Sequence, residues 1–512
     1  MSETIRGVID AAPKEAPAIG GADRPWASYG DLAAQAERTK AELNGFGVGR
    51  GDRVAIVLPN GPEMATAFVA CACAATTAPL NPGYRQDEYD FYLSDLQAKA
   101  IVVAADYDGP ALPAAAAHGV RVLRLSSLTE GPAGAFTLRA EGVTEGAPAD
   151  AGAPTPDDVA LVLHTSGTTS RPKIVPLLQS NLTASARHIA DALALTPSDK
   201  CLNVMPLFHI HGLVAAVLAS LRAGAAIHCT PGFNAMQFFS LLDQVKPTWY
   251  TAVPTMHQLI LTRADRNAEI VAAAKLRLIR SSSASLPPQV MAALEETFGA
   301  PVIESYGMTE ASHQMASSPL PPKPRKAGHV GLPAGPKVRL ADPTSDALLP
   351  EGATGEVVIS GPNVTPGYES NPEANAKSFF ELDGERWFRT GDEGFFDAEG
   401  YLKITGRLKE IINRGGEKVS PLEVDEVLLD HPAVAQVVTF ALPHDKLGEE
   451  VAAAVVLTEG ESADEKAIRA FAAERLADFK VPRKIVVVDE IPKGATGKMQ
   501  RIGMAEKLGL VA

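Results

Sequence analysis

Cysteine is scarce in this 512-residue chain. Only Cys71, Cys73, Cys201 and Cys229 are present, too few for a disulfide framework. Cys71 and Cys73 have no matching Cys/His pair downstream at zinc spacing, so small buried thiols in a packed helix are expected. Long apolar runs are lacking too. The Ala-rich stretches 64–80 and 212–229 are diluted by threonines in the first and broken by Arg222 in the second, which makes them core segments rather than membrane spans. The start, Met1 to Pro17, has neither a basic n-region nor an apolar h-region, and Gly509-Leu510-Val511-Ala512 matches no retention or peroxisomal address. A reduced cytoplasmic location is expected. Positive charge is in deficit, with 47 Lys and Arg against 61 Asp and Glu and a net charge of −14. That balance disfavours sequence-independent binding to nucleic acid or to anionic membranes, while leaving room for a local basic pocket. No segment repeats internally.

What the chain holds is ordinary globular material, 46% apolar and 21% charged, at a length that a single core rarely organises. Two or more domains follow. Residues 31–45 have helical periodicity, 53–58 form a short apolar strand, 62–75 and 87–97 read as helices, and 99–104 as another strand. This rhythm predicts α/β architecture with largely parallel sheets as far as about Phe298. Residues 131–156, rich in Gly, Ala, Pro and Asp, are expected to form a flexible connection. From Val338 the texture changes to short strands with turns, including 355–361 and 394–402, with a hairpin turn over 397–400. A new α/β pattern begins after Leu408-Lys409-Glu410, which sets a boundary between residues 1–408 and 409–512.

The run Val159-Ala160-Leu161-Val162-Leu163 reads as a buried strand, and His164-Thr165-Ser166-Gly167-Thr168-Thr169-Ser170-Arg171-Pro172-Lys173 follows it directly. Hydroxyl donors, backbone N–H groups made accessible by Gly167 and the cations Arg171 and Lys173 suit a loop that wraps phosphate oxygens. The Walker A spacing is absent, and composition alone favours an ordinary polar surface loop. Glu304-Ser305-Tyr306-Gly307-Met308-Thr309-Glu310 sets an aromatic, a hydroxyl and a carboxylate around a glycine. Trp387-Phe388-Arg389-Thr390-Gly391-Asp392 ends in an acid, and Gly406-Arg407-Leu408-Lys409-Glu410 lies at the boundary. Pro492-Lys493-Gly494-Ala495-Thr496-Gly497-Lys498 puts a lysine after a glycine near the C-terminus. Each alone looks like a turn; their order and co-occurrence are informative.

In that order, and over nearly the whole chain, the motifs resemble those of the adenylate-forming superfamily. That superfamily holds acyl-CoA synthetases, firefly-type luciferases and peptide-synthetase adenylation domains. The resemblance implies a large N-terminal domain of α/β sheets with a small β-barrel-like part, then a small mobile C-terminal α+β domain. It implies ATP, Mg²⁺ and coenzyme A acting with a small carboxylic acid: the carboxylate attacks the α-phosphate to give an acyl-adenylate and pyrophosphate, and the thiol then displaces AMP. Carried onto this sequence, Thr165, Ser166, Gly167, Thr168, Thr169 and Lys173 hold the β- and γ-phosphates. Glu310 holds Mg²⁺, Thr309 donates to the α-phosphate, and Tyr306, within Glu304-Ser305-Tyr306-Gly307, stacks on adenine near the turn Ser283-Ala284-Ser285. Asp392 accepts from the ribose hydroxyls with Arg407 assisting, and Lys498 bridges the attacking carboxylate and the α-phosphate. Lys409 is the hinge about which the small domain exchanges Lys498 for the pantetheine-tunnel loop at Gly415-Gly416. Charge stabilisation where two anions meet, and a hard cation with oxygen ligands, are what such chemistry needs. The chain departs from the family where Ser170 and Ile174 stand in place of common glycines.

Pocket chemistry points to the acid. A fatty or aryl acid needs an apolar tunnel, whereas a short diacid needs donors for its second carboxylate. The candidate lining is polar: Pro206-Leu207-Phe208-His209-Ile210-His211-Gly212, Arg280-Ser281-Ser282-Ser283-Ala284-Ser285 and Thr309-Glu310-Ala311-Ser312-His313. His209 matches the family's aromatic gate. The serine cluster together with 311–321 looks most like the oxalate–CoA ligase subgroup, which implies that His209, Ser283 and His313 bind oxalate. Malonate or another short acid is the rival, and each histidine is equally suited to a hydrogen-bonded structural place. A luciferase-like oxygenase would emit light with luciferin, a carrier-loading module would acylate a protein thiol, and a nucleotide sensor would bind ATP without turnover.

Overall fold

A computed structural model describes residues 3–142, 146–165, 172–492 and 500–511. Ser166, Gly167, Thr168, Thr169, Ser170 and Arg171 of the expected phosphate loop, and Lys498 with its neighbours 493–499, lie outside the described residues. The chain divides into two compact units. The first holds the residues up to Thr165, Pro172–Val338 and Ile359–Phe388; the second holds Arg339–Val358 and everything from Arg389.

In the first unit aliphatic and β-branched runs make the strands. They are β1 (Pro17–Gly20), β2 (Ala27–Ser28), β3 (Arg53–Val57), β4 (Thr76–Pro79), β5 (Ala100–Ala104), β6 (Arg121–Ser127), β7 (Phe136–Ala140), β8 (Val159–Thr165) and β9 (Lys173–Leu178). Then come β10 (Lys200–Asn203), β11 (Ala226–Cys229), β12 (Trp249–Ala252), β13 (Leu278–Ser282), β14 (Val302–Met308), β15 (His313–Ser317) and β16 (Leu332–Pro333). Among the described residues they build two sheets. Seven strands run β7-β6-β5-β3-β4-β8-β9, parallel except for β7 and β9 at the edges. Nine run β16-β15-β14-β13-β12-β10-β11-β1-β2, parallel from β14 to β1. Parallel neighbours need crossovers, and the helices Tyr29–Gly45, Pro62–Ala72 and Gln86–Leu96 fall where periodicity predicts them. The first opens on a capping box between Ser28 and Asp31, the second on Pro62.

The Ala-rich stretches are core, as expected. Residues 64–80 are buried throughout, as are 212–221 and 225–229. The four cysteines are free and buried, and burial pushes the Cys71 and Cys73 thiols up to about 12. One expectation needs correction: the connection 131–156 contains the strand β7, antiparallel to β6. Buried Phe136 and Leu138 alternate there with Thr137 and Arg139, a short period that the surrounding Gly, Pro and Asp obscure. Ile174, one of the departures from the family, packs in the apolar cluster of Tyr89, Leu93 and Val162.

Further along, β17 (Lys337–Ala341), β18 (Thr354–Ser360), β19 (Phe379–Leu382), β20 (Glu385–Phe396) and β21 (Leu402–Arg407) form a sheet ordered β17-β18-β20-β19, with β21 on β20. The hairpin turn at 397–400 joins β20 to β21, with the Gly400 N–H donating to the Asp397 carbonyl at 2.9 Å. A last sheet holds β22 (Ile412–Arg414), β23 (Glu417–Val419), β24 (Val434–His444), β25 (Gly448–Leu457) and β26 (Lys484–Val487). Helices Pro421–Leu429 and Glu465–Ala473 bring Val424, Leu428 and Ile468 into one core with Val437 and Val455. Among the described residues no helix is long and apolar enough to cross a membrane.

Candidate functional site

Ligands of parallel sheets collect beyond the carboxyl ends of the strands, and the motif residues of the first unit stand at such ends. β8 finishes on Thr165, whose register partner on β9 is Lys173, so both shoulders of the expected phosphate loop belong to one antiparallel pair. β14 ends in Met308 and passes into a single 3-10 turn, Thr309–Ala311. Glu310 is buried there. The Tyr368 hydroxyl donates to Glu310 Oε1 at 2.8 Å, and the Lys173 ammonium lies 4.2 Å from the Tyr368 ring centroid. Tyr368 thus links the cation of one motif to the acid of another. The Thr365 N–H donates to the Glu310 carbonyl at 2.8 Å, and Asn363 donates to the carbonyls of Ala311 and Gln314 at 2.8 and 3.0 Å. One segment, 363–368, holds this turn through three of its residues.

The polar lining predicted for the acid collects around His211. Its Nδ1 is 3.0 Å from Ser283 Oγ, its Nε2 is 2.6 Å from Thr251 Oγ1, and its ring centroid is 5.2 Å from that of His313. His313 Nε2 lies 3.4 Å from Ser282 Oγ and its Nδ1 3.5 Å from the Arg280 guanidinium. His211 opens a π-helix, His211–Leu218, a form concentrated at functional sites. Ser283, Ser312 and His313 have φ of +74°, +49° and +101°; such backbone costs on the order of 1–3 kcal/mol per residue and clusters at sites of function. Ser283 and His313 are therefore brought together, with Ala284 and Ser285 exposed beside them. His209 packs on Phe208, ring centroids 4.6 Å apart. Glu304 and Ser305 are buried in β14, where Glu304 Oε1 accepts from the Leu286 N–H at 3.0 Å and so shapes the serine turn. Tyr306 and Gly307 follow at the mouth of the strand, half-buried.

Three residues of weight here were not singled out from the sequence. Tyr368 sits in Thr365-Pro366-Gly367-Tyr368, which reads only as a turn. His211 is hidden behind its neighbour His209. Arg280 left a signal, a charge directly after Leu278-Ile279 in a strand; it is fully buried, and that burial pushes its pKa down to about 9.

In the second unit the predicted acid and its assistant are register partners on β20 and β21. Asp392 is buried, and the Arg407 Nε lies 3.2 Å from its Oδ1. Arg389 braces the approach to Asp392, donating to Glu356 Oε2 at 2.6 Å and to Asp346 at 2.9 Å. Lys409 is exposed in the turn that follows β21. Gly415 and Gly416, φ +61° and +97°, make the tight turn between β22 and β23, a conformation that side chains resist at both positions.

The family model described as AMP-binding enzyme matches residues 8–369, and the one described as AMP-binding enzyme C-terminal domain matches residues 423–498. The chain is 44% identical to an oxalate–CoA ligase of Arabidopsis thaliana, over 98% of each chain. It is 41% identical to an oxalate–CoA ligase of Saccharomyces cerevisiae, over 89% of this chain and 87% of the other. Among solved structures it is similar to ATP-bound MatB of Rhodopseudomonas palustris, with a TM-score of 0.86, 29% identity and 99% of each chain covered.

Proposed function

The chain belongs to the AMP-binding enzyme family, and from that premise we propose that it joins oxalate to coenzyme A. It is an ATP-dependent, AMP-forming acid–CoA ligase. An acid oxygen attacks the α-phosphorus of ATP and pyrophosphate leaves; the coenzyme A sulfur then attacks the acyl carbon and AMP leaves. The observation that carries the choice of acid is the Ser283–His211–His313 cluster. Polar side chains gathered this closely suit the second carboxylate of a short diacid better than an alkyl chain, which calls for an apolar lining. Both relatives named above, which act on oxalate, support the same choice.

Within this reading Thr165, Ser166, Gly167, Thr168, Thr169 and Lys173 grip the departing pyrophosphate, and Thr309 meets the α-phosphate. Tyr306 and the turn Ser283-Ala284-Ser285 hold adenine, while Asp392 and Arg407 hold the ribose. Lys498 neutralises charge between the two reacting anions during adenylation. Residues 409–512 move as a body about Lys409, and the Gly415-Gly416 turn serves the thiol step; the exposure of Lys409 supports a hinge there. Glu310 suits Mg²⁺. A hard cation that keeps phosphate and water oxygens needs one fixed carboxylate, and among the described residues no group of three or more His, Cys, Asp or Glu is gathered for a metal. When bound, Mg²⁺ supplies charge neutralisation on the phosphates. His209 gates the acid pocket. A cytoplasmic setting is part of the proposal, supported by four free buried thiols.

The test is release of AMP and pyrophosphate, with acyl-CoA formation, from ATP, Mg²⁺ and coenzyme A across oxalate, malonate, octanoate and cinnamate. The highest kcat/KM is expected on oxalate. Turnover of octanoate or cinnamate without turnover of oxalate would overturn the proposal.

A further inference from the structure

Strand β13 carries a cation that no carboxylate neutralises among the described residues. Arg280 is 0% exposed. Its Nη2 donates to Gln314 Oε1 at 3.2 Å and reaches His313 Nδ1 at 3.5 Å, while its Nε and Nη1 have no hydrogen-bond partner among the described residues. No carboxylate is paired with it among those residues. Burial lowers its pKa to about 9, which leaves it cationic at neutral pH. Burying a charge without a counter-charge costs several kcal/mol, and an apolar side chain of similar volume would be the stable choice. A residue kept against that cost points to function.

Its surroundings say which function. Ser282 lies two residues along the same face of β13, with its Oγ 3.4 Å from His313 Nε2. His313 faces His211, and His211 faces Ser283. The guanidinium has only protons to offer, so Nδ1 of His313 is assigned as the acceptor, and the ring then carries its proton on Nε2. Arg280 thus fixes which edge of His313 donates, and places a permanent positive charge behind that edge.

We infer that Arg280 determines specificity for a second negative charge on the acid, acting as a positioning residue through His313 rather than by touching the substrate. The inference rests on the acid–CoA ligase reading and names the substrate class it favours: short dianionic acids over monoanions of the same size. Gln314 anchors the guanidinium from the other side, and its own amide donates to the carbonyls of His188 and Ala334, so Arg280 cannot swing away without breaking that chain.

The experiment compares oxalate with glyoxylate, a monoanion of nearly the same size, in pyrophosphate release by the full-length protein. Arg280→Gln is expected to lower kcat/KM for oxalate by roughly 10- to 100-fold, the range of a lost hydrogen bond to a charged group. The loss falls mainly on KM, with glyoxylate and the KM for ATP moving less than threefold. Arg280→Lys keeps the charge and should recover part of the oxalate preference. If Arg280→Gln does not fold, Arg280→Met takes its place with the same ratio as readout. Equal losses on both acids would overturn the inference and leave a structural role only. No turnover of oxalate by the wild type overturns the reading and the inference together; a wild type that selects oxalate and a Gln variant that keeps the ratio overturns the inference alone.

Discussion

Gly307 is the point at which one methyl group should silence the acid site. A Cβ there would stand 1.8 Å from the His313 carbonyl oxygen, 2.6 Å from its carbonyl carbon and 3.1 Å from its Nδ1. Real Cβ contacts do not fall below 3.0 Å, so Gly307→Ala must drive the two backbones apart by about 1.2 Å in an interior packed to crystal density. Relaxation is opposed on the far side: Ser185 Oγ donates to the Ser312 carbonyl at 2.6 Å, and Asn363 donates to the Gln314 carbonyl at 3.0 Å. Overpacking of this kind costs about 1–3 kcal/mol of stability, which leaves a folded protein. A displacement of about 1 Å at a positioning residue costs roughly 100-fold in rate. The assay is oxalate-dependent AMP formation at saturating ATP, with urea unfolding as the control for folding. We expect kcat/KM for oxalate to fall by roughly 100-fold, with a smaller change in the KM for ATP. A variant within twofold of wild type on oxalate would refute the reasoning, because it would show that the position of His313 does not matter.

Three further outcomes follow from single groups. Tyr368→Phe removes the donor to Glu310 Oε1; loss of a group that orients a metal-binding carboxylate should raise the Mg²⁺ concentration for half-maximal adenylation by roughly 10-fold or more, and an unchanged Mg²⁺ titration would refute this. Lys498→Ala should abolish adenylation yet still permit thioester formation from a supplied acyl-adenylate, and equal loss of both half-steps would count against the division of labour between the two steps. His228, beside Trp26, has its pKa lowered to about 4, first by burial and then by Lys200. Its folded pKa is depressed below the unfolded value, so the folded state binds fewer protons; its contribution is fully present above about pH 6.5 and is lost as pH falls towards 4. Denaturation of wild type against His228→Asn should show a stability difference shrinking by up to about 3 kcal/mol across that window, and a pH-independent difference would refute it.

The fold was largely legible because periodicity reports which face of an element is buried. The helices Tyr29–Gly45, Pro62–Ala72 and Gln86–Leu96 and the hairpin turn before Tyr401 are local facts, written in caps, apolar spacing and a positive-φ glycine. β7 escaped because its five residues alternate inside a stretch whose composition reads as loop. The candidate site divides along the same line. Ser283 and His313 stand in motifs that state their chemistry, whereas His211 became prominent only when the start of a π-helix turned it, rather than His209, towards Ser283. Tyr368 is the clearest case. Its neighbours in sequence announce a turn, and its importance lies wholly in Glu310, 58 residues away, and in Lys173 at the start of β9. A hydrogen bond at such separation leaves no period in the chain. Arg280 did leave a mark, since a charge directly after Leu278-Ile279 violates the apolar run that opens its strand. The violation marks a place where burial is opposed by something else; only the folded chain shows that its guanidinium reaches the ring of His313.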